Sequence, residues 1–292
     1  MGVGEDFAAF KSNYNLDADT MGSISRRYRR ITRQLNNDFY GSDSETAHSW
    51  YVGSYGRDTA ARGVSDLDMG YLLPNAVYHQ YHAYATNGQS ALLQAVKRSI
   101  QKTYRTTDSF GDGQVVGVNF TDGINFEVLP AFLNKDKKTW TYANANNGGS
   151  WRVCNPWAEM EAVNARSRAT NRNMKHLCRM MRVWKDYNGV PISGMLIDTL
   201  AFQFLENWPH RDKSFLYHDY MARDFFLFMS RQATTQSYWR APGSGSQVGR
   251  RGAFEKRAWA AYLLSLDAIV YNDNPYSRRR KWREIFGPLY PV

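Results

Sequence analysis

The chain has 292 residues, enough for one large domain or two interlocked lobes with a sizeable buried core. Its net charge of +10 implies an anionic partner; nucleic acid would need a basic stripe, nucleoside triphosphates only a basic pocket. No apolar run approaches a membrane span, and Met1 to Asp6 carries neither a leader-like apolar core nor a myristoylation signal, so a cytoplasmic protein is expected. Two cysteines, Cys154 and Cys178, are too few for a disulfide framework or a Cys/His zinc site and read as reduced, buried thiols.

Residues 5–14 and 22–40 read as helices. In the second, Ile24, Tyr28, Ile31 and Leu35 recur at helical spacing with arginines on the other face, and Tyr40 to Ser44 breaks it. Next comes Val52-Gly53-Ser54-Tyr55 and, after residues 55–65, the aspartate pair Asp66 and Asp68 in an apolar, β-leaning run that ends at Leu73. As a strand, this run puts both carboxylates on one face. Two carboxylates so close repel each other and are stable as anions only with a cation between them; hard oxygen ligands with room for water and phosphate suit Mg²⁺. Gly53-Ser54 lets the backbone approach a phosphate, with amides and a hydroxyl to donate. A lone Asp-x-Asp is most often a turn or solvated edge, and Gly-Ser at this distance is what sharpens it.

After Pro74, Ser90 is placed to cap a helix running to about Thr103, with Leu92, Leu93, Val96 and Ile100 on its core side. Gln114–Phe120 and Ile124–Leu129 read as two strands joined through Thr121-Asp122-Gly123. Glu127 interrupts the apolar second strand. By itself it is an edge carboxylate facing water, or a third ligand beside the aspartate pair. From Asn155-Pro156 the chain turns helical, which marks the boundary between residues 1–154 and 155–292. Arg166–Tyr187 reads as one helix, with Met174, Leu177, Met181 and Trp184 on one stripe and Arg168, Arg172, Lys175, Arg179 and Arg182 on another. Ser193 begins a helix apolar nearly all round, hence buried. Residues 212–232 read as a further helix, Ala233–Gly252 as a long loop, Phe254–Val270 as a helix, and the last helix stops at Gly287. The basic run Arg278 to Arg283 reads as a solvated helix face.

Gly-Ser, a spacer of this length and Asp-x-Asp resemble the signature of the polymerase-β-like nucleotidyltransferases. Three stretches narrow the resemblance to the cGAS/DncV-like enzymes, the CD-NTase family: Gly53 to Asp68, Phe126-Glu127-Val128-Leu129-Pro130-Ala131, and the helical segment from Asn155 to Phe204. The chain departs from the family in having Glu127 where Asp is frequent, and Asp58-Thr59 where Gly-Thr is usual. The resemblance implies an α+β fold, a mixed sheet with helices plus a helical C-terminal lobe, with the active site in the cleft between them. It implies that Asp66, Asp68 and Glu127 are catalytic ligands of two Mg²⁺ ions (Mn²⁺ as the alternative), and that Gly53 and Ser54 hold a triphosphate. Family members keep a phosphate-reaching lysine near the end of the 166–187 helix; Arg182 matches it best, Lys185 is one turn on, and Ser193 stands where a phosphate-binding serine is usual.

The reaction so implied joins ATP and/or GTP into a cyclic di- or trinucleotide, a second messenger that reaches an effector in bacterial anti-phage defence (CBASS), with a regulatory protein partner. Nothing resembles the zinc-binding insert used for DNA sensing by cGAS, so a double-stranded DNA activator is not supported. The rival readings are an RNA-terminal or small-acceptor nucleotidyltransferase with the same core, and a non-catalytic nucleotide-binding module.

Overall fold

The computed structural model describes residues 2–63 and 66–292; Ser65, part of the family match, lies outside them. In chain order the first elements are α1 (Val3–Tyr14), α2 (Ala18–Tyr40), β1 (Ser49–Tyr51), α3 (Gly53–Gly56), β2 (Asp66–Leu72), α4 (Asn75–His82) and α5 (Gly88–Thr103). Five strands follow: β3 (Asp108–Asp112), β4 (Val115–Asn119), β5 (Asn125–Leu133), β6 (Trp140–Asn144) and β7 (Ser150–Cys154). The rest is helical around one hairpin: α6 (Pro156–Ala169), α7 (Asn173–Tyr187), α8 (Gly194–Asn207), α9 (His218–Ser230), β8 (Tyr238–Arg240), β9 (Gln247–Gly249), α10 (Glu255–Val270) and α11 (Pro275–Phe286). The fold is α+β, as the sequence implies. Two compact units form: Asp17–Gly56 with Gly63–Ala158, and the residues up to Leu16 with Arg57–Arg62 and Glu159–Val292. Among the described residues no helix is long and apolar enough to cross a membrane.

The first unit is built on a mixed sheet of order β1-β2-β5-β4-β3, with β6 paired to β5 and β7 to β6. β2 and β5 run parallel; their other neighbours are antiparallel. Alternation sorts the side chains of β2. Leu67, Met69 and Tyr71 are fully buried on one face, as are Phe126 and Val128 of β5, while Asp66, Asp68 and Gly70 take the other. The helix α5 lies against β3, β4 and β6 and against α2, burying Leu92, Leu93, Val96 and Ile100 as their spacing foretold. Its cap differs from expectation: Asn87, not Ser90, is the N-cap, and its side chain accepts from the Ser90 backbone N–H at 2.9 Å. On the carboxylate face, Trp140, Trp50 and Trp157 cluster beyond the aspartates. Gly70 makes room for them, since a Cβ there would stand 2.3 Å from Trp140 Cζ3.

The helical unit has an aromatic core. Phe7, Phe10 and Tyr14 of α1 are buried with Trp184 of α7, Phe225 and Phe226 of α9, and Trp282 and Phe286 of α11. The single helix expected over 166–187 is in fact two, α6 and α7. Asn171 (φ 47°) and Arg172 (φ 66°) are left-handed between them. Tertiary bonds outweigh helix propensity at this break: Asn173 Nδ2 donates to the carbonyls of Arg211 and Lys213 at 2.9 and 2.8 Å. The loop expected over 233–252 contains the β8–β9 hairpin. The run Arg278 to Arg283 is not a solvated face either. Arg278 is buried and, with Arg279, clasps the buried Asp6 at 2.7 and 2.8 Å, and Arg283 donates to the Tyr290 carbonyl. Cys178 is buried and Cys154 half-buried, and neither forms a disulfide.

Overpacking the Gly70 site has a measurable consequence. A Gly70→Ala variant should lose about 1–3 kcal/mol in urea unfolding; a midpoint equal to the parent's would mean that Trp140 yields freely.

Candidate active site

The two aspartates and Glu127 come together through strand register. In the parallel pair, Asp66 aligns with Asn125 and Asp68 with Glu127. Aligned residues of neighbouring strands point to the same face, so three carboxylates occupy one face across two strands. Asp66 is exposed, while Asp68 and Glu127 are half-buried. Glu127 therefore belongs with the aspartate pair and is not an edge carboxylate, since β4 covers its other side through Gly117.

Gly53 closes this face from the start of α3. Its φ is +57°, in the left-handed region, and a Cβ would stand 1.7 Å from Asp68 Oδ2. Only glycine serves on both counts. Ser54 follows it in α3, a single turn whose Gly56 N–H donates to the Val52 carbonyl at 2.8 Å.

The donor set is all carboxylate oxygen on one face of the sheet, which fits a hard divalent cation in chemistry. As the side chains lie, no three His, Cys, Asp or Glu groups among the described residues surround one metal-sized point.

The three sites expected later in the chain lie in the helical unit. Arg182 is buried. It donates to both oxygens of Asp198, at 2.6 and 3.0 Å, to the Gly194 carbonyl at 3.1 Å and to the Cys178 carbonyl at 3.2 Å. Lys185 is half-buried and paired with its neighbour Asp186. Ser193 is the N-cap of α8, and its Oγ accepts from the Leu196 N–H at 3.1 Å.

Sequence reasoning missed the hub of this unit. Asp198, fully buried, also accepts from Arg57 Nε at 3.0 Å and Thr59 Oγ1 at 2.9 Å. Arg57 reaches on to Glu159 at 3.3 Å. Burial pushes the Asp198 carboxyl up, but the guanidiniums of Arg182 and Arg57 prevail and hold it down at about 2. The available signal was a lone carboxylate in the otherwise apolar start of α8.

A mixed sheet with Gly-Ser and Asp-x-Asp on adjacent segments, and a third carboxylate on the parallel neighbour, defines a polymerase-β-like nucleotidyltransferase. The chain belongs to the family of the SMODS domain, the Second Messenger Oligonucleotide or Dinucleotide Synthetase domain, whose model matches residues 1–167. It is accordingly a nucleotidyltransferase of the cyclic-oligonucleotide synthase class, as the CD-NTase resemblance implies. Solved structures share the fold at low identity. CdnC of E. coli MS115-1 with ATP is 15% identical at a TM-score of 0.69, covering 100% of this chain and 99% of that one. The same protein in its CdnC:HORMA-deltaN complex gives 15% and 0.68, covering 99% and 98%. Vibrio cholerae DncV, a cyclic AMP-GMP synthase in complex with the linear intermediate 5′ pppA(3′,5′)pG, gives 14% and 0.71, covering 96% and 94%. A comparison with curated proteins gives no match.

Removing the Asp198 carboxylate leaves the buried Arg182 without a counter-ion and Arg57 with Glu159 alone. Asp198→Asn should cost about 3–5 kcal/mol at pH 7 in urea unfolding. Because its folded-state pKa is depressed, the stability Asp198 contributes is present above the ordinary carboxylate value and lost as pH falls from about 4 to about 2. The gap between parent and variant should therefore narrow at pH 3; a gap of equal size at both pH values would contradict the ion-pair account.

Proposed function

We propose that the chain joins nucleoside triphosphates, ATP and/or GTP, into a cyclic di- or trinucleotide signal for anti-phage defence, with Asp66, Asp68 and Glu127 as the catalytic carboxylates. The observation that carries this reading is the alignment of Asp68 with Glu127 on one face, with Asp66 two residues away and Gly53 against Asp68. Nucleotidyltransferases of this kind generally use divalent metals. Asp66 and Asp68 would be ligands of both Mg²⁺ ions, or Mn²⁺, and Glu127 would add a ligand to the one that activates the attacking hydroxyl. Bound there, the cations supply Lewis acidity, easing ionisation of the ribose hydroxyl and neutralising charge that develops on the α-phosphate.

The chain's own residues do the rest. Gly53, bare of side chain, leaves backbone and carboxylate in close approach, and Ser54 donates its hydroxyl to the triphosphate. Lys185 and Ser193 serve the leaving pyrophosphate. Arg182, with its donors on Asp198 and Gly194, acts one step back by fixing the start of α8 and thus Ser193. The first bond gives a linear product and a second closes the ring. The linear intermediate held by DncV and the ATP held by CdnC support this order and these substrates. CdnC's complex with HORMA-deltaN supports a regulatory protein partner.

Supplying α-labelled ATP, GTP, CTP and UTP singly and in pairs tests this directly. A phosphatase-resistant small product is expected, from ATP and GTP above all, and EDTA should abolish it. Strict dependence on added RNA would instead favour the terminal-transferase reading. Asp66→Asn/Asp68→Asn and Glu127→Gln should each lower turnover roughly 10³-fold or more without changing thermal stability. Product formed at the parent rate by either variant would overturn the assignment.

A further inference from the structure

Apart from Arg182, the basic stripe from Arg168 to Arg179 has no part in that chemistry, and the structure gives it another. A cavity of about 560 Å³ lies wholly within the helical unit. Five cations line it: Lys11 of α1, Arg168 of α6, Arg172 at the break between α6 and α7, and Lys175 and Arg179 of α7. Against them stands one carboxylate, Asp58. Its Oδ2 is 3.1 Å from Lys175 Nζ, and Arg179 grips both its Oδ1 and its backbone carbonyl, the latter at 2.9 Å. Among the described residues, Lys11, Arg168 and Arg172 make no ion pair. Cations drawn into one concavity and left uncompensated repel each other, and they are stabilised by an incoming anion. The field is felt nearby. Burial first, then the charges of Lys11, Arg179 and Arg172, lower the pKa of His176 to about 4, so this lining residue stays neutral.

We propose that this cavity binds a small molecule bearing several phosphate groups, and that Asp58 is the internal anion with which that ligand competes. The lining argues against recognition of a base: its one aromatic ring is His176, which is buried and bonded to the Tyr14 hydroxyl at 3.1 Å. A concave site of this volume suits a compact polyphosphate better than an extended strand, which would follow an open basic track. Arginine forks at three corners match phosphate oxygens in pairs. Asp58 also lies four residues after Ser54, on the segment leading to Asp66. A ligand that takes Lys175 and Arg179 from Asp58 therefore acts on the segment joining two parts of the catalytic machinery.

Calorimetric titration of the full chain in EDTA, at fixed ionic strength, tests this with two probes: inorganic tripolyphosphate for phosphates in a linear chain, and inositol hexakisphosphate for phosphates on a ring. Binding of either supports the site, and the tighter one names the source; binding of neither overturns it. Arg168→Ala/Arg172→Ala, at two exposed positions, should weaken binding about tenfold or more, the loss of one or two charge-assisted hydrogen bonds. Asp58→Asn should tighten it several-fold by freeing Lys175 and Arg179. Asp66→Asn/Asp68→Asn should leave it unchanged. Equal affinity in the double arginine variant, or loss of binding in the aspartate variant, would refute the proposal. Binding is read without turnover, so a failure of the catalytic assignment and a failure of this site give different results.

Discussion

The parallel register of β2 and β5 is the constraint on which the acidic face depends. Strand side chains alternate, so a slip of one residue would drive Glu127 into the face where Phe126 and Val128 are fully buried. A carboxylate buried there without partners would destabilise the fold by several kcal/mol. The edge of β5 away from β2 is held at two places. Gly117 of β4 aligns with Glu127, and Ala131 of β5 aligns with Tyr142 of β6. At the far end of the same face, Trp140 lies over Gly70, fixing where the apolar cover ends and the carboxylates begin. Acidity at this face is thus a by-product of correct apolar packing on the other.

In the helical unit the ordering agent is paired charge instead of register. Asp198 collects Arg57, Arg182 and Thr59, and Asp6 collects Arg278 and Arg279. Buried pairs of this kind add little net stability, because desolvation offsets most of the attraction, but breaking one strands a charge and is costly. They therefore specify an arrangement more than they strengthen it. A consequence concerns the net charge of +10. Several arginines behind that figure are internal fasteners, so the charge open to an anion is concentrated in fewer places than composition suggests.

Much of this was legible in the sequence. The Asp66/Asp68 strand, the Glu127 strand and the buried α8 follow from periodicity, a local property that side-chain alternation imposes directly. The grouping of Glu127 with the aspartates needed the resemblance, because pairing between strands distant in sequence leaves no local trace. What escaped was decided by long-range partners. The break at Asn171 and Arg172 depends on carbonyls near residue 211, the burial of Arg278 depends on Asp6 far away in sequence, and Arg182 falls on the basic stripe of a helical wheel until Asp198 is placed. The N-cap at Asn87 was missed for a humbler reason: Ser90 is also a good capping residue, and only geometry chooses between them.

The family's usual glycine at the position of Asp58 has a physical explanation here. Asp58 has φ +56°, a conformation glycine adopts freely and most residues resist. Aspartate is among the few others that enter this region, because its short polar side chain can bond locally. Replacing glycine by any residue stiffens the turn, but aspartate also adds an anion, which two helical cations grip. The departure at residue 58 and the basic stripe on α7 are therefore one feature and not two. A glycine in this place would leave Lys175 and Arg179 with the same unmet demand for negative charge that Arg168 and Arg172 already show, so the stripe would be a solvated face only if the loop carried nothing to answer it.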